Sequence, residues 1–331
     1  MRSVIAMVLL TACTAEEPVT AATGELEGWT AGPVLPTPRA NHCSAAIGDW
    51  VLAIGGNFKQ PNGEFAKTDE IHAARLADGV LGPWQLAGHT ASPVTECSAT
   101  TDGAQLYVID GIYDVETDGR QVFAAAFDQA MGLLGAFAST STLPSAVISS
   151  EAVVRHDRLL VMDTLLPAEG DQTVTYTFDA DAWLTADWGI GFRAQAEYAF
   201  SDRFAYTLGG YTGGEGNPAS SEVFVASLDI TGVRATTPLP EPVIFGEAVA
   251  VDDWVFVVGG RSQVFGGTAS TKVYAAQATE GGLGAWSEVA ALPMGRTNHE
   301  LVLVGDDLVV LGGADAAGGD ATVLVARVRF P

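Results

Sequence analysis

The chain has 331 residues, of which 48% are hydrophobic, 17% are charged and 38 are glycines. This composition is typical of many short strands joined by turns and argues against a protein built from long helices. The net charge of −24 repels phosphate backbones and anionic lipid head groups, so we expect no nucleic-acid partner.

The first twelve residues have the features of an export signal. Arg2 gives a positive start, and residues 3–10 are apolar and hold no acidic side chain. This apolar run is too short to span a bilayer, which needs about 20 residues. The letters LTAC at residues 10–13 resemble the lipobox of bacterial lipoproteins. That resemblance implies cleavage before Cys13 and lipidation of its sulfur.

Residues 13–23 follow as a polar stretch with one proline and no apolar periodicity, which predicts a flexible tether. Thr14, not Asp, follows the cysteine. By resemblance to Gram-negative lipoproteins, this favours the outer membrane, on its periplasmic or surface face. We therefore expect an exported, lipid-anchored protein whose folded domain covers residues 24–331.

A unit of about fifty residues recurs along this domain. Each unit holds an apolar run that ends in Gly-Gly or a remnant of it, such as WVLAIGG at 50–56 and WVFVVGG at 254–260. The apolar residues are almost continuous, as they are in strands buried on both faces. The first residues of the six pairs are Gly55, Asp110, Asp163, Gly209, Gly259 and Gly312.

The rest of each unit keeps the same register. A second predicted strand follows each pair, and an aromatic or apolar residue comes next at Trp84, Phe137, Trp188, Val233 and Trp286. These features resemble the kelch repeat from about Gly24 to the C-terminus. Two units lack the Gly-Gly pair, and one has Val233 in place of the aromatic residue. The resemblance implies four-stranded antiparallel blades arranged radially as a β-propeller.

The two ends of the domain predict how the propeller closes. The chain ends in ATVLVARV at 321–328, which matches a third strand, and no fourth strand follows. GELEGWTAG at 24–32 matches a fourth strand. We therefore predict an all-β, six-bladed kelch-like propeller whose last blade is closed by the N-terminal strand.

Candidate ligand-binding residues lie before the innermost strands, which in kelch propellers surround the mouth of the central channel. Arg-x-x-His occurs twice, in blades that become neighbours on closure. Matching positions in other blades, or one residue further on, add an arginine and three glutamates. The set is Arg39, His42, Glu96, Arg193, Glu247, Arg296, His299 and Glu300. Such a cluster either focuses an anionic ligand or satisfies loop carbonyls and pairs with acids between blades.

The sequence offers no catalytic set, and we expect no metal and no cofactor. His42 and His299 with Glu96 or Glu300 provide nitrogen and oxygen ligands, but neither HxH nor HExxH occurs. The cross-linked Cys-Tyr pair of copper radical oxidases cannot be placed, and the sialidase motif SxDxGxxW is absent.

Two cysteines remain if Cys13 carries lipid. Cys43 and Cys97 fall at matching positions in adjacent blades, just past the mouth segment. In an oxidising compartment they form either a disulfide between blades or two small buried thiols.

Two functions are consistent with these features. The first, which we favour, is a monomeric, surface-anchored, non-catalytic module that binds a protein or a glycan, with loops 57–67 and 261–270 as candidate contact surfaces. The second is a small-molecule binder or enzyme at the channel mouth, similar to periplasmic kelch propellers that act as sialic-acid mutarotases. There Arg39, Arg193 and Arg296 would hold a carboxylate, and His299 or Glu300 would move a proton.

Overall fold

The computed structural model describes residues 25–109, 111–113, 119–147, 150–164, 172–179, 181–213, 218–315 and 318–329. The strands of its first half are β1 (Glu25–Leu26), β2 (Thr30–Ala31), β3 (Cys43–Ile47), β4 (Trp50–Ile54), β5 (Asn57–Lys59), β6 (Phe65–Lys67), β7 (Glu70–Ala77), β8 (Val80–Leu81), β9 (Gln85–His89), β10 (Val94–Thr95), β11 (Ser98–Thr101), β12 (Gln105–Ile109), β13 (Ile112–Tyr113), β14 (Gln121–Asp128), β15 (Leu133–Leu134), β16 (Ala138–Thr142) and β17 (Glu151–Arg155). Those of its second half are β18 (Arg158–Thr164), β19 (Thr173–Asp179), β20 (Ala182–Asp187), β21 (Ala194–Phe200), β22 (Phe204–Tyr211), β23 (Val223–Ser227), β24 (Arg234–Ala235), β25 (Ile244–Val251), β26 (Trp254–Arg261), β27 (Val273–Thr279), β28 (Gly282–Leu283), β29 (Ser287–Glu288), β30 (Glu300–Val304), β31 (Asp307–Leu311), β32 (Ala314–Asp315), β33 (Gly318–Gly319) and β34 (Val323–Arg329).

Antiparallel sheets of the described strands form six blades, each with its innermost strand first in chain order. Their strand orders are β3-β4-β7-β8 for blade 1, β11-β12-β14-β15 for blade 2, β17-β18-β19-β20 for blade 3, β21-β22-β23-β24 for blade 4, β25-β26-β27-β28 for blade 5, and β30-β31-β34-β1 for blade 6. Strands β9, β16, β29 and β2 extend the outer edges of blades 1, 2, 5 and 6. The all-β propeller predicted from the repeat is therefore confirmed.

The predicted closure is also confirmed. The N-terminal strand β1 pairs with β34, which places Glu25 opposite Arg329 and Leu26 opposite Val328. Strand β2 continues the same edge with Thr30 opposite Val325. The first and last described segments of the domain thus share one blade, and this pairing closes the ring.

The apolar core is divided among the interfaces between blades. In the described part of the chain, six clusters of buried apolar side chains each lie between two neighbouring blades. The cluster between blades 6 and 1, for example, joins Leu35 and Val51 to Val309 and Val323. Because each sheet packs against a neighbour on both faces, its second strand is buried almost throughout, as in β26.

Three of the recurring tryptophans join their blade to the one before it. The indole Nε1 of Trp84 donates to the carbonyl of Pro33 at 2.9 Å, in the linker that follows blade 6. Trp286 donates in the same way to Thr237, and Trp29 to Ala290. The Trp188 indole instead donates to Thr175 Oγ1 in its own blade. A buried indole N–H needs an acceptor, and the linker carbonyl provides one.

No helix in the described ranges has the length and apolar character needed to cross a membrane.

Candidate functional site

The three candidate arginines are hydrogen-bonded within their own blades. Each guanidinium donates through Nη1 to the backbone carbonyl sixteen residues later, which belongs to the first glycine of the blade's Gly-Gly pair. The pairs are Arg39 with Gly55 at 3.0 Å, Arg193 with Gly209 at 3.3 Å, and Arg296 with Gly312 at 2.5 Å. The Arg side chain therefore ties the mouth segment to the end of the second strand.

Further contacts hold the same guanidiniums in place. Arg39 Nη2 lies 3.2 Å from His72 Nδ1, and Arg296 Nη1 lies 3.1 Å from Asp320 Oδ2. Arg193 Nη2 donates to Glu222 Oε2 at 2.5 Å. None of the three arginines lines the axial cavity described below. The structure thus favours the structural role that the sequence left open, and contact with a ligand stays a prediction.

The two candidate histidines are buried and lie against glycines. Each imidazole ring extends toward a glycine of the preceding blade. A Cβ atom added to Gly312 would lie 3.1 Å from His42 Cε1, and one added to Gly259 would lie 2.9 Å from His299 Cε1. Both glycines also have positive φ, 54° and 64°. No other residue provides that conformation together with that clearance.

Both histidines are neutral at ordinary pH. Burial lowers the pKa of His299 to about 3, and the charge of Arg296 adds to that effect. Burial, Arg39 and His299 hold the pKa of His42 well below its usual value. The mouth therefore lacks the positive histidines that an anion site would use.

One position of the repeat forms a ring around the propeller axis. This position is in the innermost strand, twelve residues before the first residue of the blade's glycine pair. It pairs with the residue of the second strand that immediately precedes that pair. Its six occupants, all within the described ranges, are Cys43, Ser98, Glu151, Glu197, Glu247 and Glu300. We call the last four the glutamate ring; they belong to blades 3 to 6 in succession.

Four of the six side chains at this position bond to the next blade. Cys43 forms a disulfide with Cys97, with Cα atoms 5.5 Å apart. Ser98 Oγ lies 3.0 Å from Ser150 Oγ. Two members of the glutamate ring continue the pattern, since Glu197 Oε1 accepts from the Gly246 amide at 2.8 Å and Glu300 Oε2 accepts from Ser44 Oγ at 2.9 Å.

The two cysteines are not equivalent in the repeat, contrary to the alignment from sequence. Cys43 begins strand β3, but Cys97 precedes strand β11, so Cys97 matches His42. The position of Cys97 faces the preceding blade, and the position of Cys43 faces the next one. This offset by one residue directs the two sulfur atoms at each other.

A cavity of about 280 Å³ lies on the axis and is lined by the glutamate ring. Glu96, Arg155, His42 and His299 are its other charged or titratable lining residues in the described part of the chain. Burial raises the pKa of Glu151 and of Glu197 to about 8. Burial and neighbouring carboxylates raise the pKa values of Glu247 and Glu300 well above their usual range. The channel is therefore acidic and holds protons near neutral pH.

The structure thus divides the candidate set. Glu96, Glu247, Glu300, His42 and His299 line one cavity, and the three arginines do not. Sequence reasoning missed Glu151 and Glu197. Their constant distance of twelve residues from Asp163 and Gly209 is a signal that could have found them. No group of three or more His, Cys, Asp or Glu in the described ranges is placed to hold a metal.

At the other end of the axis a wider cavity of about 720 Å³ opens among the turns between the first and second strands. Four aspartates line it. They are Asp202, Asp252, Asp253 and Asp306. Arg155 lines both cavities, and its Nε lies 3.7 Å from Asp202 Oδ1. The Arg155 side chain is therefore shared by the two acidic cavities of the channel.

The lipidation site falls outside the described residues. Cys13, the signal peptide at 1–12 and the tether at 13–23 stay predictions. The described domain begins at Glu25, at the outer edge of blade 6.

Comparisons with known proteins support the fold and the repeat. No protein-family model matches the chain. Among curated proteins it is similar to the Kelch-like protein terF of Aspergillus terreus, with 21% identity over 307 residues, or 89% of this chain. The chain spans 65% of the length of that relative. Among solved structures it is similar to YjhT, with a TM-score of 0.67, 15% identity, and coverage of 90% of this chain and 99% of YjhT. The chain thus folds as a six-bladed β-propeller, and its similarity to a kelch-like protein supports a kelch-type repeat.

Proposed function

We propose that this protein is a non-catalytic binding module, exported and held at the outer membrane by lipid on Cys13, that binds a protein or a glycan through loops around the channel mouth. The observation that carries the proposal is the exposure of two phenylalanines on these loops. Phe265 is 79% exposed and Phe65 is 66% exposed. Exposed aromatic side chains are frequent anchors of binding surfaces.

Both loops border the mouth. Asn57, at the base of the β5–β6 hairpin that carries Phe65, exchanges backbone hydrogen bonds with Ala40 in the mouth segment. Ser270, at the end of the loop that carries Phe265, accepts a hydrogen bond from the Arg296 amide. Blades 5, 6 and 1 are neighbours, so the two aromatic loops flank the same sector of the mouth.

The attachment of the tether is consistent with a mouth that faces away from the membrane. Strand β34 begins at Val323, beside the mouth, and ends at Arg329 at the opposite end of the blade. Glu25 pairs with Arg329. The chain therefore enters the domain at the end remote from Phe65 and Phe265.

The alternative of a sugar-acid site is less well supported by this geometry. It required Arg39, Arg193 and Arg296 to hold a carboxylate, and all three guanidiniums are hydrogen-bonded to the protein. The glutamate ring also supplies no positive charge that would attract an anion into the channel.

The test measures binding of the domain, residues 24–331, to a glycan array and to fractionated envelope proteins. The Phe65→Ser/Phe265→Ser double variant is compared with Val80→Ser, which removes an apolar side chain that is 71% exposed at the end remote from the mouth. We expect the double variant to lose about tenfold or more in affinity for whichever ligand the wild type binds, and Val80→Ser to bind normally. Equal binding by all three proteins would reject the loops as the contact surface.

The anchor is tested in cells that express the full chain. Wild type should incorporate labelled fatty acid and sediment with the outer membrane, whereas Cys13→Ser should do neither. A Cys13→Ser protein that remains in the membrane fraction would contradict the lipid anchor.

A further inference from the structure

We propose that the axial channel binds a small organic ammonium ion, a primary amine or diamine, held by the carboxylates of the glutamate ring and by His42. This site is separate from the loops proposed above as the macromolecular contact surface. Loss of binding at one surface is therefore distinguishable from loss at the other.

The glutamate ring supplies hydrogen-bond acceptors for a ligand in the channel. The four carboxylates occupy equivalent positions in four successive blades, so they line one continuous side of the channel. Glu197 and Glu300 each use one oxygen for a neighbouring blade. Because a carboxylate offers about four acceptor sites, the ring keeps acceptor capacity for N–H donors of a ligand.

A second, independent observation is the state of His42. Its side chain is 1% exposed, it lines the same cavity, and neither ring nitrogen has a hydrogen-bond partner among the described residues. In blades 2 and 3 the equivalent residues, Cys97 and Ser150, bond to the ring residue of the preceding blade. His42 faces blade 6 in the same way, where Glu300 is the ring residue. Buried polar groups without partners are rare, and a ligand that donates or accepts a hydrogen bond would satisfy this one.

The charge balance of the cavity selects a cation. Five carboxyl groups face it, the glutamate ring and Glu96, against the single guanidinium of Arg155 among the described lining residues. Both histidines are neutral for the reasons given above. Protons held on the glutamates offset part of this charge, and a bound ammonium ion would replace them.

The arrangement of the described carboxylates favours an organic cation over a metal ion. The described residues include no cluster in which three potential ligands converge on one point. The cavity of about 280 Å³ has room for several non-hydrogen atoms, since a water molecule takes about 30 Å³ in the liquid. An ammonium group can donate separate N–H hydrogen bonds to separate carboxylates. Binding to the glutamate ring requires this because its carboxylates belong to four different blades.

The test is titration calorimetry of the folded domain with 1,4-diaminobutane, alongside 1,4-butanediol as its uncharged analogue, CaCl₂, and N-acetylneuraminate. We expect only the diamine to bind, and we expect protons to be released when it binds. Its affinity should rise from pH 6 to pH 8.5, because a larger fraction of the Glu151, Glu197, Glu247 and Glu300 carboxyl groups is ionised at higher pH. Proton release is measured by repeating the titration in buffers of different ionisation enthalpy.

Variants assign the site. Glu247→Gln and Glu300→Gln should each weaken diamine binding about tenfold or more, the loss of one charge-assisted hydrogen bond. Glu288→Gln, at an exposed position on strand β29, should bind as wild type does. Melting temperatures show that each variant is folded, and the Phe65→Ser/Phe265→Ser protein should bind the diamine normally.

Three results would overturn the proposal. They are the absence of diamine binding between pH 6 and pH 8.5, equal binding of the diol, and binding of calcium or the sugar acid in place of the diamine.

Discussion

Glu197 in blade 4 accepts a 2.8 Å hydrogen bond from the backbone amide of Gly246 in blade 5, close to the propeller axis. The contact occupies the same place between blades 4 and 5 that the Cys43–Cys97 disulfide occupies between blades 1 and 2. One position of the repeat thus joins successive blades with different chemistry.

This bond makes Glu197 a stability determinant. Glu197→Ala should lower the free energy of unfolding by about 1–3 kcal/mol, because it leaves the buried Gly246 amide without its acceptor. Glu197→Gln keeps an acceptor oxygen and should cost less than Glu197→Ala. Urea unfolding of the three proteins at pH 7 measures the difference, and equal losses for Ala and Gln would show that the bond contributes nothing.

The pH dependence of stability follows from the same ring. Because the folded-state pKa values of its glutamates are raised, the folded protein binds protons more tightly than the unfolded chain does. The stability that this tighter proton binding provides is fully present below the unfolded-state pKa of about 4.3. It is lost as the pH rises through the folded-state pKa, which is about 8 for Glu151 and Glu197.

The histidines act in the opposite direction. The pKa of His299 falls to about 3 in the folded state, so its contribution is present above the unfolded value of about 6.5 and is lost as the pH falls toward 3. The glutamate contribution therefore declines as the pH rises above about 4.3, and the histidine contribution declines as the pH falls below about 6.5. Glu247→Gln should flatten the alkaline decline between pH 7 and pH 9, and an unchanged profile in that variant would refute the assignment.

The fold was predictable from sequence because the repeat fixes its own register. The apolar runs before Gly55, Gly259 and Gly312 are equivalent, so the phase of every strand follows from one of them. The closing strand followed because the first segment, with Trp29, completes the pattern that the last segment leaves open. These inferences depend on spacing and hydrophobicity, which a linear sequence displays.

The site was harder to predict because it depends on side-chain direction. Arg39 and Arg296 lie in the segments that lead into the innermost strands, and their guanidiniums extend along their own blades to glycine carbonyls. Glu151 and Glu197 were missed because their blades, 3 and 4, lack the Arg-x-x-His motif that precedes this position in blades 1 and 6. Neither the orientation of a side chain nor its hydrogen-bond partner can be read from spacing alone.

The disulfide should contribute much of the stability of the ring. Cys43 and Cys97 are 54 residues apart, and a bridge of this span is worth about 4 kcal/mol in the chain-entropy model. Dithiothreitol should therefore lower the melting temperature of wild type by many degrees. The Cys43→Ser/Cys97→Ser variant should start from the lower value and show no further response, and a large response in that variant would contradict this account.

Replacing a buried arginine should lower the stability of the fold, because its guanidinium is hydrogen-bonded to the protein. Arg39 is fully buried, and Arg39→Met would remove the donor to the Gly55 carbonyl and the contact with His72. We expect a loss of about 2–4 kcal/mol in the free energy of unfolding. Arg75→Met is the matched control, because its exposed pair with Asp49 at 3.1 Å should be worth less than about 1 kcal/mol. An Arg39→Met protein as stable as Arg75→Met would show that the guanidinium is not needed by the fold, and would return Arg39 to the list of candidate ligand contacts.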